Sequence, residues 1–141
     1  MTDDGTLTPE QEQRIRKAFA DVPFAQFLGI KLGRLKRGEA TLQLELRDEM
    51  KRNNGFAHGG VVASLADTAA AFAILTLLEP DQTTTTVDLT IHYLRPLLQG
   101  QITAEARVIR AGRRIIVIAV DVFNEAKALS ATALTSFIKL T

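Results

Sequence analysis

The chain has 141 residues, 46% of them apolar and 23% charged, with a formal net charge of +1, which fits one globular domain able to bury a core. Near-neutral charge with no run of five like charges speaks against a nucleic-acid partner. The absence of cysteine excludes disulfide scaffolds, thiolate metal sites and cysteine nucleophiles.

The opening "MTDDGTLTPEQEQ" is acidic and polar, unlike a signal or transit peptide, so the expected compartment is the cytoplasm. Residues 1–141 read as one domain, with residues 1–20 as a helical extension. "TPEQEQRIRKAFADV" predicts a short helix with Thr8 as N-cap and Pro9 at the first helical position. "PFAQFLGIKLGRLKRG" leads on as extended chain, and Gly38 marks a hairpin into "EATLQLELR". There Ala40, Leu42, Leu44 and Leu46 alternate onto one face.

"HGGVVASLADTAAAFAILTLL", from His58 to Leu78, predicts a long apolar helix stopped by Glu79-Pro80-Asp81. Its length would span a membrane, but Ser64, Asp67, Thr68 and Thr76 interrupt it, and a mid-helix Asp costs roughly 2.5–3.5 kcal/mol on insertion. A buried helix of a soluble protein is expected, with no membrane contact.

Four strand-like segments follow. "TTTTVDLTIHYL" places Val87, Leu89, Ile91 and Tyr93 inward and His92 on the opposite face. "QITAEARVIRA", "RIIVIAVDVFN" and "ALSATALTSFIKL" follow turns at Gln99-Gly100, Gly112 and 124–127. "RIIVIAVDV" is apolar on both faces and predicts a central strand covered on both sides. Short turns imply antiparallel neighbours, and a single long helix must pack on one face of their sheet. The expected class is α+β.

"GFAHGG" runs straight into the long helix. Glycines let another group approach the backbone there, and first-turn N–H groups carry partial positive charge without an intrahelical acceptor. Such a turn can bind an anion or polarise a carbonyl; a bland cap is the alternative. On the helix, Gly60, Ala63, Ser64, Ala70, Ala71 and Ile74 share a side with Asp67, and most are small. Val62, Leu65, Ala69, Phe72, Ala73 and Thr76 form the bulkier side, suited to the sheet.

Asp67 lies eight residues beyond Gly59, roughly 12 Å along the axis, whereas reacting groups must approach to roughly 3–3.5 Å. If the carboxylate and the first turn work together, two copies of the chain must supply them. A two-fold dimer with antiparallel helices would do so twice.

"NNGFAHGGVVASLADTA", with "TTVDLTIHYLRP" and "AGRRIIV" beyond it, resembles the hotdog-fold acyl-CoA thioesterases of the phenylacetate-degradation and 4-hydroxybenzoyl-CoA type. The likeness covers roughly residues 25–141 and implies a long central helix wrapped by a curved antiparallel sheet of about six strands. It implies that Asp67 attacks the thioester or activates water, that the Gly59 N–H polarises the carbonyl, and that His58 shapes the turn. Thr86 matches a Ser/Thr position that orients the carboxylate or water. Gly60 would line the substrate, and Arg113 and Arg114 would meet the nucleotide of coenzyme A. Many relatives carry Asn or Gln six residues before the His; Arg52 stands there, leaving Asn53 or Asn54 to fill the role.

Thioester hydrolysis calls for no cofactor and no metal, and His58 and His92 form no ligand pattern. The implied partners are an acyl-CoA substrate and further copies of the chain: a dimer by geometry, a tetramer by resemblance. Acyl carrier protein remains an alternative carrier. A non-catalytic acyl-CoA binding or sensing module and a hydratase or dehydratase are the alternative functions.

Overall fold

The computed structural model describes residues 4–140; residues 1–3 of the expected N-terminal extension, and Thr141, lie outside it. Helix α1 (Pro9–Ala20) begins as its sequence dictates. The Thr8 hydroxyl accepts from the Gln11 N–H, and the Gln11 side chain returns the bond to the Thr8 N–H. Its buried residues are Ile15 and Phe19, and Phe19 meets Phe72 edge to face at 5.2 Å between ring centroids.

The stretch expected as extended chain holds instead a short helix, α2 (Pro23–Leu28). Pro23 at its start and Gly29 in the left-handed region at its end (φ 76°) give it both stop signals. The expected hairpin follows, β1 (Lys31–Lys36) and β2 (Glu39–Glu45) around Gly38, whose φ of 80° suits the turn. Ala40, Leu42, Leu44 and Leu46 are all buried, as their alternation requires.

After a 3-10 turn at Asp48–Met50 comes α3 (Gly59–Leu75), then β3 (Thr84–Tyr93), β4 (Gln101–Ala111), β5 (Ile115–Phe123) and β6 (Leu129–Lys139). The six strands form one antiparallel sheet in the order β1-β2-β4-β5-β6-β3. The α3 residues Val62, Leu65, Ala69, Phe72, Ala73 and Thr76 are buried, as the helical pattern predicts. They face a layer that includes Ile102, Ala104, Ile116, Ile118 and Val120. No helix among the described residues is long and apolar enough to cross a membrane.

Two expectations need correction. Strand β5 is interior to the sheet, but only its Ile116, Ile118, Val120 and Val122 side is buried; Ile115 on the other side is exposed, and Val117 and Ala119 are half-buried. The apolar character of both faces therefore does not report two covering layers. On the side of α3 that carries Asp67, Ala70 and Ile74 are fully buried, so the open small-residue strip is limited to Gly60, Ala63, Ser64 and Ala71.

Thr76 locks the end of α3 to the hairpin. Its hydroxyl accepts from the Gly38 N–H at 2.7 Å and donates to the Ala73 carbonyl at 2.6 Å. Thr76→Val keeps the shape and strands that N–H. It should lower the unfolding free energy by about 1–3 kcal/mol in urea titrations, more than the loss of a surface hydroxyl would.

Candidate active site

The first turn of α3 is anchored on every side. The His58 N–H donates to the Met50 carbonyl and the Ala57 N–H to the Leu97 carbonyl, both at 2.8 Å. His58 is the N-cap, and its Nδ1 accepts from the Gly60 N–H at 2.9 Å, which leaves Nε2 to carry the proton of the neutral ring. The Gly59 carbonyl accepts from the Tyr93 hydroxyl at 2.7 Å. Among the described residues the Gly59 N–H has no protein acceptor, as expected at the first helical position. A Cβ at Gly59 would lie 3.2 Å from the Tyr93 Cζ and hydroxyl oxygen, so glycine lets the ring approach the backbone closely, and a larger residue would need the ring to shift by a few tenths of an ångström.

This turn opens onto a cleft of about 530 Å³, lined among others by His58, Gly59, Phe56, Val62, Tyr93 and Leu97. Asp67 does not line it. The carboxylate lies two turns further along α3, half-buried, where its Oδ1 accepts from the Thr86 hydroxyl at 2.9 Å.

That contact depends on a break in β3. Leu89 and Ile91 pair with Thr135 and Ala133, whose side chains are buried beneath α3, while Thr90 and His92 lie opposite Leu134 and Thr132. Uninterrupted alternation would turn Thr86 outward with them. A bulge between Thr86 and Asp88 resets the count, so Thr86 pairs with buried Phe137 and reaches Asp67. The same bulge corrects the inward placement expected of Val87, which is 55% exposed. Tyr93 lies opposite buried Ala131 but beyond the core, and its ring covers the start of α3 rather than filling the interior.

The remaining candidate residues separate into two groups. Asn53 and Asn54 are exposed on a tight turn closed by the Lys51–Ala57 bridge, and the Asn54 side chain accepts from the Phe56 N–H. Neither lines the cleft, whereas Arg52 does. Gly60 is exposed and held to the His58 ring. Arg113 and Arg114 are exposed in the turn between β4 and β5. Bonding of the Lys139 N–H to the Arg114 carbonyl, with Thr84 opposite Lys139, puts that turn at the Thr84–Thr86 end of the sheet. Tyr93 and Gly59 mark the other end, seven residues or roughly 23 Å along β3. Within one chain the structure thus brings Asp67 and Thr86 together, and separately His58, Gly59 and Tyr93.

Comparison with known proteins identifies the family. Residues 54–131, more than half of the chain, match the thioesterase superfamily. A putative esterase of Saccharolobus solfataricus is 33% identical over 79% of this chain and 74% of its own length. A protein of Escherichia coli named as a medium/long-chain acyl-CoA thioesterase is 30% identical over 82% of this chain and 84% of its own. The PaaI protein of the Escherichia coli phenylacetic acid degradation operon superposes with a TM-score of 0.88 at 25% identity, covering 96% of this chain and 97% of the other. The chain belongs to the thioesterase superfamily, with the curved sheet and central helix of the hotdog fold, and is a thioester hydrolase.

Tyr93 escaped the sequence reading as a site residue because alternation alone assigned it to the core. Burial pushes its phenol above the ordinary tyrosine value, which favours the O–H form that donates to Gly59. A group raised in this way contributes stability below the unfolded-state value, about 10, and loses it as the pH climbs through the folded-state value. Tyr93→Phe should therefore destabilise the protein by about 1 kcal/mol at neutral pH, and the difference from wild type should shrink above pH ~10. Urea unfolding of both proteins across that range measures it.

Proposed function

We propose that the chain hydrolyses acyl-CoA thioesters at sites shared by two copies, each site combining Asp67 and Thr86 of one protomer with the Gly59 N–H of its partner. One observation carries this reading. The carboxylate with its hydroxyl partner and the open N–H lie on one helix but roughly 12 Å apart, each complete locally and each lacking the other. The acyl-CoA substrate rests on superfamily membership and on relatives named for that activity.

Strand β3 supports the pairing. It is an edge strand of ten residues, and an exposed edge of that length presents unpaired backbone groups that favour a partner strand. Antiparallel pairing of two β3 strands about a two-fold axis between Leu89 and Thr90 sets Thr86 of one copy opposite Tyr93 of the other. That register carries Asp67 toward the partner's first turn. Dimer formation is thus part of the site, and further association into a tetramer is compatible with it.

In the hydrolysis, the thioester carbonyl oxygen accepts from the partner's Gly59 N–H, where negative charge develops as the carbon becomes tetrahedral. Thr86 holds one Asp67 oxygen by its 2.9 Å hydrogen bond and leaves the other free. The free oxygen either removes a proton from water as it attacks, or attacks the carbon itself. In the first case the tetrahedral intermediate collapses, the C–S bond breaks and the thiolate takes up the proton. In the second the thiolate leaves an aspartyl anhydride that water then opens. His58, bonded to Gly60, fixes the turn that presents the N–H. Arg113 and Arg114, at the Asp67 end of the sheet, are placed to meet phosphates.

Asp67→Ala should lower thiol release from acyl-CoA by at least about 100-fold while circular dichroism and oligomeric state stay those of wild type. Equal rates would end the proposal. Thr86→Val should cost about tenfold, the order of one charge-assisted hydrogen bond, mostly in kcat. A single turnover in ¹⁸O-water tests the attacking role of Asp67. Label in the enzyme marks attack by the carboxylate followed by opening of the anhydride at the aspartyl carbon; label only in the acid product rules that route out.

A further inference from the structure

We infer that Arg52 and Arg95 form a cationic subsite beside Gly59 that takes an anionic group of the thioester, a carboxylate on the acyl chain or a phosphate of the carrier. The inference rests on the proposed hydrolysis for the identity of the ligand, and on the cleft itself for the site.

Both arginines line the cleft onto which Gly59 opens, and no Asp or Glu lines it. Two arginines elsewhere in the chain, Arg16 and Arg47, are tied to the fold by their side chains. The Arg16 guanidinium binds Glu12 and the carbonyls of Leu32 and Gly33, and that of Arg47 binds Glu49 and the carbonyls of Leu28 and Phe27. The Arg52 and Arg95 side chains, by contrast, have no hydrogen-bond or ion-pair partner among the described residues. Their backbones are nevertheless fixed: the Arg52 N–H donates to the Phe56 carbonyl at 2.7 Å and the Arg95 N–H to the Ser130 carbonyl at 3.1 Å. Pro96 further restricts the chain after Arg95.

Around them the lining is apolar, with Phe56, Leu94 and Leu97 prominent. Two unpartnered, exposed guanidiniums beside an apolar wall and a helix N-terminus give the cleft a positive potential. Planar, bidentate donors of this kind suit carboxylate and phosphate oxygens. At about 530 Å³, the cleft is roughly 10 Å across and holds a small acyl group or a short piece of a carrier arm, not both in full. The charge must therefore lie near the thioester or be folded back to it. Arg52 is also the position at which this chain departs from the Asn or Gln of the family it resembles, so the subsite would distinguish this protein's substrates from those of relatives.

Two ratios test it with wild type, Arg52→Gln and Arg95→Gln. One is kcat/KM for glutaryl-CoA over valeryl-CoA, which differ by a terminal carboxylate. The other is kcat/KM for a CoA ester over the matching N-acetylcysteamine thioester, which lacks every phosphate. A fall of about tenfold or more in the first ratio assigns the subsite to an acyl carboxylate, and the same fall in the second assigns it to the carrier. If neither ratio moves by more than about twofold, including the case in which all four substrates slow equally because the arginines serve a protein carboxylate, the inference is overturned. Should wild type hydrolyse none of the four, the hydrolysis reading fails separately. Equilibrium binding of the same compounds then decides the subsite, at least tenfold weaker binding of an anionic member keeping it and equal binding removing it.

Discussion

An α-helix is a rigid ruler, rising about 1.5 Å per residue, and in this protein it fixes the distance between the two features that the proposed reaction brings onto one substrate. Helix α3 runs antiparallel to β3, with Gly59 tied to Tyr93 at its start and Asp67 tied to Thr86 at its middle. Neither point can slide without breaking the sheet-facing layer beneath it, in which Leu65, Ala69 and Ala73 are fully buried. In the proposed reaction, each of these two points of the chain supplies half of a site. Two-fold symmetry is the least elaborate operation that joins the halves.

The same layer explains how an apolar helix keeps a carboxylate. Its mean character is set by residues that face the sheet, and Asp67 projects from the flank where Ala63, Ser64 and Ala71 are small and half-buried. One hydroxyl donor satisfies one oxygen, so the charge is oriented without being neutralised by an arginine or lysine. At the start of α3 positive character comes from backbone rather than side chains. His58 occupies one of the two forward N–H groups and leaves the other open. The proposed function thus draws on elements that stability alone would not demand: a capping imidazole, a glycine under a tyrosine ring and a bulge.

Much of this was legible in the sequence. Thr8 and Pro9 announced α1, the alternation in β2 named its buried face, and the i, i+3, i+4 pattern in α3 gave the sheet-facing residues correctly. That a site joining Asp67 with the first turn would need two copies followed from helical rise. What escaped has a common physical cause, since each feature is a local exception to a period. The bulge at Val87 reverses the face of Thr86 and is invisible to a two-residue alternation. Tyr93 keeps its inward side but lies past the end of the core, which periodicity cannot report. Helix α2 is only six residues long, too short for a hydrophobic pattern to declare itself. Asn53 and Asn54 were offered by the family resemblance, but they sit in an exposed turn and do not line the cleft, whereas Arg52 does.

The shared site is tested most directly by mixing two inactive variants, Asp67→Ala and Gly59→Pro, the latter replacing the N–H with a ring carbon at a helix position that accepts proline once the Tyr93 ring shifts by a few tenths of an ångström. Co-expressed with different tags, they form hybrid dimers in which one site inherits both defects and the other inherits none. Purified hybrids should regain about half of wild-type activity per dimer while each parent stays inactive. Hybrids as inactive as their parents would show that both groups act within a single chain, and would contradict the account.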